Sequence, residues 1–194
     1  MREPYPSGSL HALNPPIFWI SGPPAAGKST FCAALLKHFE HGVHIPVDDL
    51  RDWVVQGMAD SVPWTDETER QFQIAERATC EVARQYHEAG FAVAIDHCRN
   101  PERLNRVIAG SRLAMRKVLL LPDLETNLHR SHTRTNKSFD KHMLDDTIRF
   151  TNEAYRKTAD DGWLVIDNSA MTVEATVALL LQNLTHESLD LPIE

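Results

Sequence analysis

Gly22-Pro23-Pro24-Ala25-Ala26-Gly27-Lys28-Ser29 satisfies the pattern G-x-x-x-x-G-K-[ST] at every constrained position. It follows the apolar run Ile17-Phe18-Trp19-Ile20 directly and opens an amphipathic helical pattern directly, the context in which such a loop wraps phosphates. Glycines let backbone N–H groups curl around phosphate oxygens, and the helix N-terminus adds partial positive charge. Lys28 would bridge the β- and γ-phosphates, Ser29 would ligate Mg²⁺ through its hydroxyl, and Thr30 adds a hydroxyl near the α-phosphate. The chemistry to expect from Gly22–Thr30 is therefore binding of ATP with Mg²⁺. A glycine-rich turn that binds nothing would need the motif and both flanks to be coincidence.

Acidic residues stand at the ends of two further strand-like runs. Asp48 and Asp49 follow His44-Ile45-Pro46-Val47, and Asp96 follows Ala92-Val93-Ala94-Ile95. In an open parallel sheet the strand C-termini share one edge, where ligands bind. Asp48 or Asp49, together with Asp96, should therefore meet the phosphate loop. A carboxylate there can hold the metal ion or its water, or take the proton from an attacking hydroxyl. Asp49 reads equally well as a helix cap. Arg130 and Arg134 stand four apart, on one face if the segment is helical. They form either a guanidinium clamp on transferring phosphates or a solvated basic face. The polar stretch Thr133–Ser138 beside them would suit a lid over ATP.

These residues must be positioned by regular elements. Apolar runs at Ile17–Ser21, Val43–Val47, Phe91–Ile95, Lys117–Leu121 and Trp163–Ile166 are continuous rather than alternating, as in strands covered on both faces. Helical patterns lie between them. One runs from Lys28 through Phe31, Leu35 and Phe39 to a stop at Gly42; another spans Asp66–Ala89, with Asp66 and Glu69 as a capping box. Asn100-Pro101 reads as an N-cap followed by proline at the first helical position, and Thr172 as the cap of a last helix. Repeated βα units predict one α/β domain over residues 17–194, after an irregular Pro/Gly/Ser-bearing lead-in at 1–16.

Composition narrows the partners. A net charge of −7 lowers the odds of a nucleic-acid partner without excluding one. No apolar run approaches the roughly 20 residues of a membrane span. Met1-Arg2-Glu3-Pro4 begins no apolar signal region, and Cys32, Cys80 and Cys98 have no paired spacing. The expectation is a cytoplasmic protein with reduced thiols. Among the ten histidines, His129, His132 and His142 have no partner acids at ligand spacing and read as surface or lid-helix residues.

On these residues the chain resembles the P-loop kinases grouped with bacteriophage polynucleotide 5′-kinase, chloramphenicol phosphotransferase and the zeta-toxin-like kinases, an AAA-type ATP-binding domain. The islands that carry the likeness span roughly residues 17–156. They are the phosphate loop with Ser29-Thr30, Asp48-Asp49-Leu50-Arg51, Asp96 followed by Asn100-Pro101-Glu102-Arg103, and Arg130…Arg134. The resemblance implies a three-layer fold with a five-stranded parallel sheet in the order 2-3-1-4-5 and a short arginine-bearing lid. It also implies Asp48 as general base, Arg51 on the acceptor side, and Arg130 and Arg134 on the ATP phosphates. Leu50 replaces a tyrosine of the polynucleotide enzymes, and nothing resembles the phosphatase domain often fused to them. The insert Gln56–Trp64 has no counterpart there. With Trp53, Met58, Pro63 and Trp64 it either lines an apolar acceptor pocket or packs as ordinary core.

The reading is an ATP-dependent kinase acting on a hydroxyl of a small molecule. Lys28, Asp48, Arg130 and Arg134 do the chemistry, Ser29 and Asp96 hold Mg²⁺, and Arg51, Trp53, Trp64 and Asp96 face the acceptor. Two rivals remain: a kinase of nucleic-acid 5′-hydroxyl ends, and a nucleotide-dependent switch with no acceptor.

Overall fold

The computed structural model describes residues 15–133, 144–158 and 162–189. Five strands, β1 (Ile17–Ser21), β2 (Gly42–Pro46), β3 (Ala92–His97), β4 (Met115–Leu120) and β5 (Leu164–Ile166), form one sheet in the order β2-β3-β1-β4-β5, every neighbour parallel. The order is the one the resemblance implies. Parallel neighbours require crossovers, supplied by α1 (Lys28–Leu36), α2 (Val47–Arg51), α3 (Asp66–Glu88), α4 (Pro101–Ser111), α5 (Leu124–Thr133) and α6 (Asp145–Lys157), with α7 (Val173–Leu189) closing the fold.

Period-two alternation sorts the strand side chains onto two covered faces. On β1, Ile17 and Trp19 enter the core shared with α3, α4 and α6, while Phe18 and Ile20 enter the core shared with α1 and α7. On β3, Val93 and Ile95 take the first face, Ala92 and Ala94 the second. Burying each large apolar side chain contributes about 1.5–3 kcal/mol. Continuous apolar strands follow from a sheet with no solvated face.

Several local expectations are corrected. Val47, Asp48 and Asp49 do not extend the second strand. They form the first turn of α2, because Pro46 has no N–H to continue the ladder and its φ of −69° admits a helix. Gly42 opens β2 rather than ending the preceding helix, which stops at Leu36. The α3 capping box is Thr65 with Thr68, one residue before the acidic pair expected for it. Asn100 does cap α4 ahead of Pro101, accepting from the Glu102 N–H at 2.8 Å, and Thr172 Oγ1 accepts from Ala175 N at 3.1 Å. His132 has an acid partner after all: its Nε2 lies 2.8 Å from Asp145 Oδ1, tying α5 to α6.

Candidate active site

The phosphate loop bridges β1 to α1 at the C-terminal edge of the sheet. Gly27 precedes α1 with φ 93°, and Ala25 also has positive φ, at 63°. A side chain at Gly22 would meet Leu120 O at 2.5 Å, so β4 dictates glycine there. Backbone-directed bonds brace the loop: Asn127 Nδ2 donates to Pro24 O at 2.6 Å and Asn168 Nδ2 to Ala26 O at 3.1 Å. The Lys28 ammonium folds onto the loop, donating to Gly22 O and Pro23 O, each at 3.0 Å. An arriving phosphate would offer it oxygens that carry full charge.

Asp96 sits level with Ile20 of β1 and Pro46 of β2. Its parity sends it to the α1 face, beside the loop. His44 Nε2 lies 2.7 Å from Asp96 Oδ2. Burial alone would raise the Asp96 carboxyl. The His44 bond, the Lys28 charge and a hydrogen bond from Ser29 outweigh it and hold the group below the usual carboxylate range. Ser29 and Asp96 thus converge as two oxygen donors beside Lys28, a set that suits Mg²⁺.

Next to the loop, a recess of about 170 Å³ is lined by Ala26, Gly27, Thr30, Arg130, Asn168 and Met171, among others. Arg130 braces it by donating to Asn168 O at 2.8 Å. Arg134, its expected partner, lies outside the described residues, as does most of the expected lid.

His97, one residue on from Asp96, points to the opposite face. Its ring is almost wholly buried, with Nε2 3.4 Å from Glu76 Oε1 and Nδ1 3.7 Å from Asp48 Oδ1. Neither contact has hydrogen-bond geometry, so both ring nitrogens lack a partner in the usual sense. The Asp48 side chain is 65% exposed. Asp49 is also exposed but has no contact of this kind among the described residues. Burial pushes the neighbouring Cys98 thiol up.

Around Asp48 the α3 face carries a network that spacing could not show. Glu76, buried, accepts from Arg99 Nε at 3.2 Å and Arg103 Nη2 at 3.1 Å; Arg99 Nη2 also bonds Glu69 Oε2 at 2.8 Å. Burial would raise Glu76, but its His97, Arg99 and Arg103 neighbours lower it. Arg51 is buried and clasps the insert, donating to Ala59 O and to Ser61 Oγ while its guanidinium lies 4.5 Å from the Phe72 ring centre. Trp64 stacks on Phe72 at 5.1 Å and 7°, with the Arg99 guanidinium 4.8 Å from its ring. Trp64 is thereby a packed plug, still 47% exposed, whereas Trp53 is 72% exposed. Arg51, Trp64 and Asp48 are linked on the α3 face through Phe72 and His97; Asp96 lies on the α1 face, beside the loop. His44, Glu76, His97 and Arg99 were missed by the sequence reading.

A sequence profile described as "AAA domain" matches residues 17–156. No curated protein matches in sequence. Among solved structures, a sugar kinase from Janibacter sp. HTCC2649 aligns with TM-score 0.66 at 17% identity, covering 88% of this chain and 95% of its own. The tunicamycin resistance protein of Deinococcus radiodurans gives 0.62 at 15%, covering 88% and 95%. Shikimate kinase from Acinetobacter baumannii, solved with shikimate, gives 0.59 at 17%, covering 91% and 96%. Identities this low speak for the fold alone.

Proposed function

This chain belongs to the AAA-domain family of P-loop proteins, and from that premise we propose that it is a Mg²⁺-ATP-dependent kinase for a hydroxyl of a small-molecule acceptor. One observation supports the reading above the others: at the C-terminal end of β3, Asp96 meets Ser29 beside the phosphate loop while the next residue, His97, lies 3.7 Å from the exposed Asp48 carboxylate. Phosphoryl transfer needs little from a protein beyond positioning and charge. Gly22–Thr30 would cradle the phosphates, and Ser29 and Asp96 would hold Mg²⁺, which when bound supplies positive charge at the γ-phosphate; ADP is the leaving group. Asp48 takes the proton of the acceptor hydroxyl as its oxygen attacks in line. Arg130 and Arg134 supply positive charge to the transferring group. The acceptor lies over Asp48, against the Arg51-clasped insert with Trp53 and Trp64.

A small acceptor is favoured over a 5′-hydroxyl strand by the net charge of −7 and by the use of Arg51, Arg99 and Arg103 in internal pairs. Two of the structural neighbours are a sugar kinase and a shikimate kinase, whose named acceptors are small hydroxyl compounds. ADP formation screened across sugars, nucleosides, hydroxylated antibiotics and 5′-hydroxyl oligonucleotides tests the reading. A saturable stimulation by one small compound is expected. Stimulation by oligonucleotides alone, falling steeply with salt, would replace it with a polynucleotide kinase.

A further inference from the structure

Asp96 is ringed by more than oxygen. Cys32 on the second turn of α1, His44 on the edge strand β2 and Asp96 on β3 each present one donor atom, and the three atoms lie within 4.8 Å of one another. Register explains the meeting: His44 pairs with Ala94, so Asp96 is its diagonal neighbour on the same face, the face that α1 covers. Cys32 and Asp96 are buried, and His44 is half-buried at the sheet edge.

We propose that Cys32, His44 and Asp96 form a site for a thiophilic divalent ion of the zinc class, which competes with Mg²⁺ for Asp96. The donor set of sulfur, imidazole and carboxylate ranks zinc far above magnesium, which takes oxygen ligands. Tetrahedral zinc with bonds of about 2.0–2.3 Å needs donors about 3.3–3.6 Å apart. The present spread brackets that range, with His44 and Asp96 at 2.7 Å and no pair beyond 4.8 Å. Seating the ion means opening the His44–Asp96 pair by about 0.6 Å and drawing in the widest pair, now within 4.8 Å, to about 3.6 Å.

The balance is simple. A Zn–S bond forms as the Cys32 S–H bond breaks and its proton leaves to solvent. His44 offers the Nε2 lone pair, with its ring proton on Nδ1. Asp96 gives one oxygen, and the Ser29 hydroxyl or a water completes four ligands. The Lys28 charge near Asp96 opposes the ion while no nucleotide is bound. The two negative donors, thiolate and carboxylate, offset it.

Its consequence for turnover rests on the kinase reading: with Asp96 withdrawn, Mg²⁺ loses its protein carboxylate and transfer stops. The binding itself is independent of that reading. Cobalt(II) titrated into the purified, nucleotide-free full chain is expected to raise a saturable thiolate-to-cobalt absorption band at one equivalent. Zn²⁺ should bleach the band and excess Mg²⁺ should not. Cys32→Ala should abolish it and Cys98→Ala should retain it. His44→Asn should weaken cobalt affinity at least about 10-fold, since even loss of an outer-sphere partner costs 10–100-fold. Melting curves check that each variant is folded; should Cys32→Ala fail to fold, the His44→Asn arm decides alone. No thiolate band, a band that survives Cys32→Ala, or unchanged affinity in His44→Asn would overturn the site. Mg²⁺-ATP binding by wild type and Cys32→Ala, measured in parallel, distinguishes that failure from failure of the kinase reading.

Discussion

The end of β3 divides the site in two. Asp96 and His97 are adjacent, yet strand geometry sends them to opposite faces and into different kinds of architecture. On the α1 face the phosphate loop is held by its own positive-φ turns and by Lys28 on Gly22 O and Pro23 O, with two asparagines from distant segments, Asn127 and Asn168, on loop carbonyls. On the α3 face, Asp48 leans on His97, His97 on Glu76, and Glu76 on arginines of the Arg99–Arg103 stretch. The α1 half rests on hydrogen bonds to loop carbonyls, whereas the α3 half rests on a charge network around the buried Glu76. On the proposed function these are the nucleotide and acceptor halves, and the second is predicted to fail together.

That contrast can be broken from either side. Lys28→Ala should cost the most in rate, about 10³-fold or more in phosphoryl transfer, because charge on the transferring oxygens then meets no ammonium. Its melting temperature should stay within a degree or two of wild type, since the ammonium bonds only loop carbonyls. A large loss of stability would show that the loop is not self-supporting.

Glu76→Gln should do the reverse. It leaves the half-buried Arg99 and Arg103 facing a neutral amide with Glu69 still beside both, a loss of about 1–2 kcal/mol, less than for a fully buried ion pair that loses its one partner. Denaturant unfolding measures it, and nucleotide affinity should change little. An unchanged midpoint would mean that Glu69 alone satisfies both arginines.

A smaller effect follows from the depressed carboxyls. Glu76 and Asp96 have folded pKa values below their ordinary 4.5 and 3.8. Each contributes stability that is present above its unfolded pKa and is lost as pH falls through the folded value. Stability should therefore decline below about pH 4.5, and less steeply in Glu76→Gln. A variant curve parallel to wild type would remove Glu76 from the account. Least of all, Asp49→Asn should cost about 1 kcal/mol or less, since it acts only as a first-turn acid on α2.

The two halves also differed in how far the sequence disclosed them. Gly22–Ser29 were legible because their geometry is local: eight consecutive residues with a strand before and a helix after. The sheet order came from the resemblance, and Asn100 and Thr172 from capping chemistry that acts over two or three residues. Val47 misled because a β-branched apolar residue after a strand reads as more strand; only the missing donor of Pro46 turns the chain there. His44 with Asp96 and Glu76 with His97 were invisible because they depend on strand register and on the phase of a 23-residue helix. For Trp64 the sequence left open pocket lining or core packing; its stacking on Phe72 and under Arg99 could not be read, since those partners are brought in by α3 and by the segment after β3.

The central claim is that Asp48 activates an acceptor across the end of β3 from the phosphate loop. Its most direct measurement is transfer of the labelled γ-phosphate to the stimulating acceptor by wild type, Asp48→Asn and Asp49→Asn at one pH, with ATP affinity determined for each. Both asparagine variants should bind ATP as wild type does. Transfer by Asp48→Asn should fall about 10²–10⁴-fold, the usual worth of a positioned base, while Asp49→Asn should remain within a few-fold of wild type. Full transfer by Asp48→Asn, or a dead Asp49→Asn with an active Asp48→Asn, would contradict the account and move the base to the neighbouring residue or out of this turn altogether.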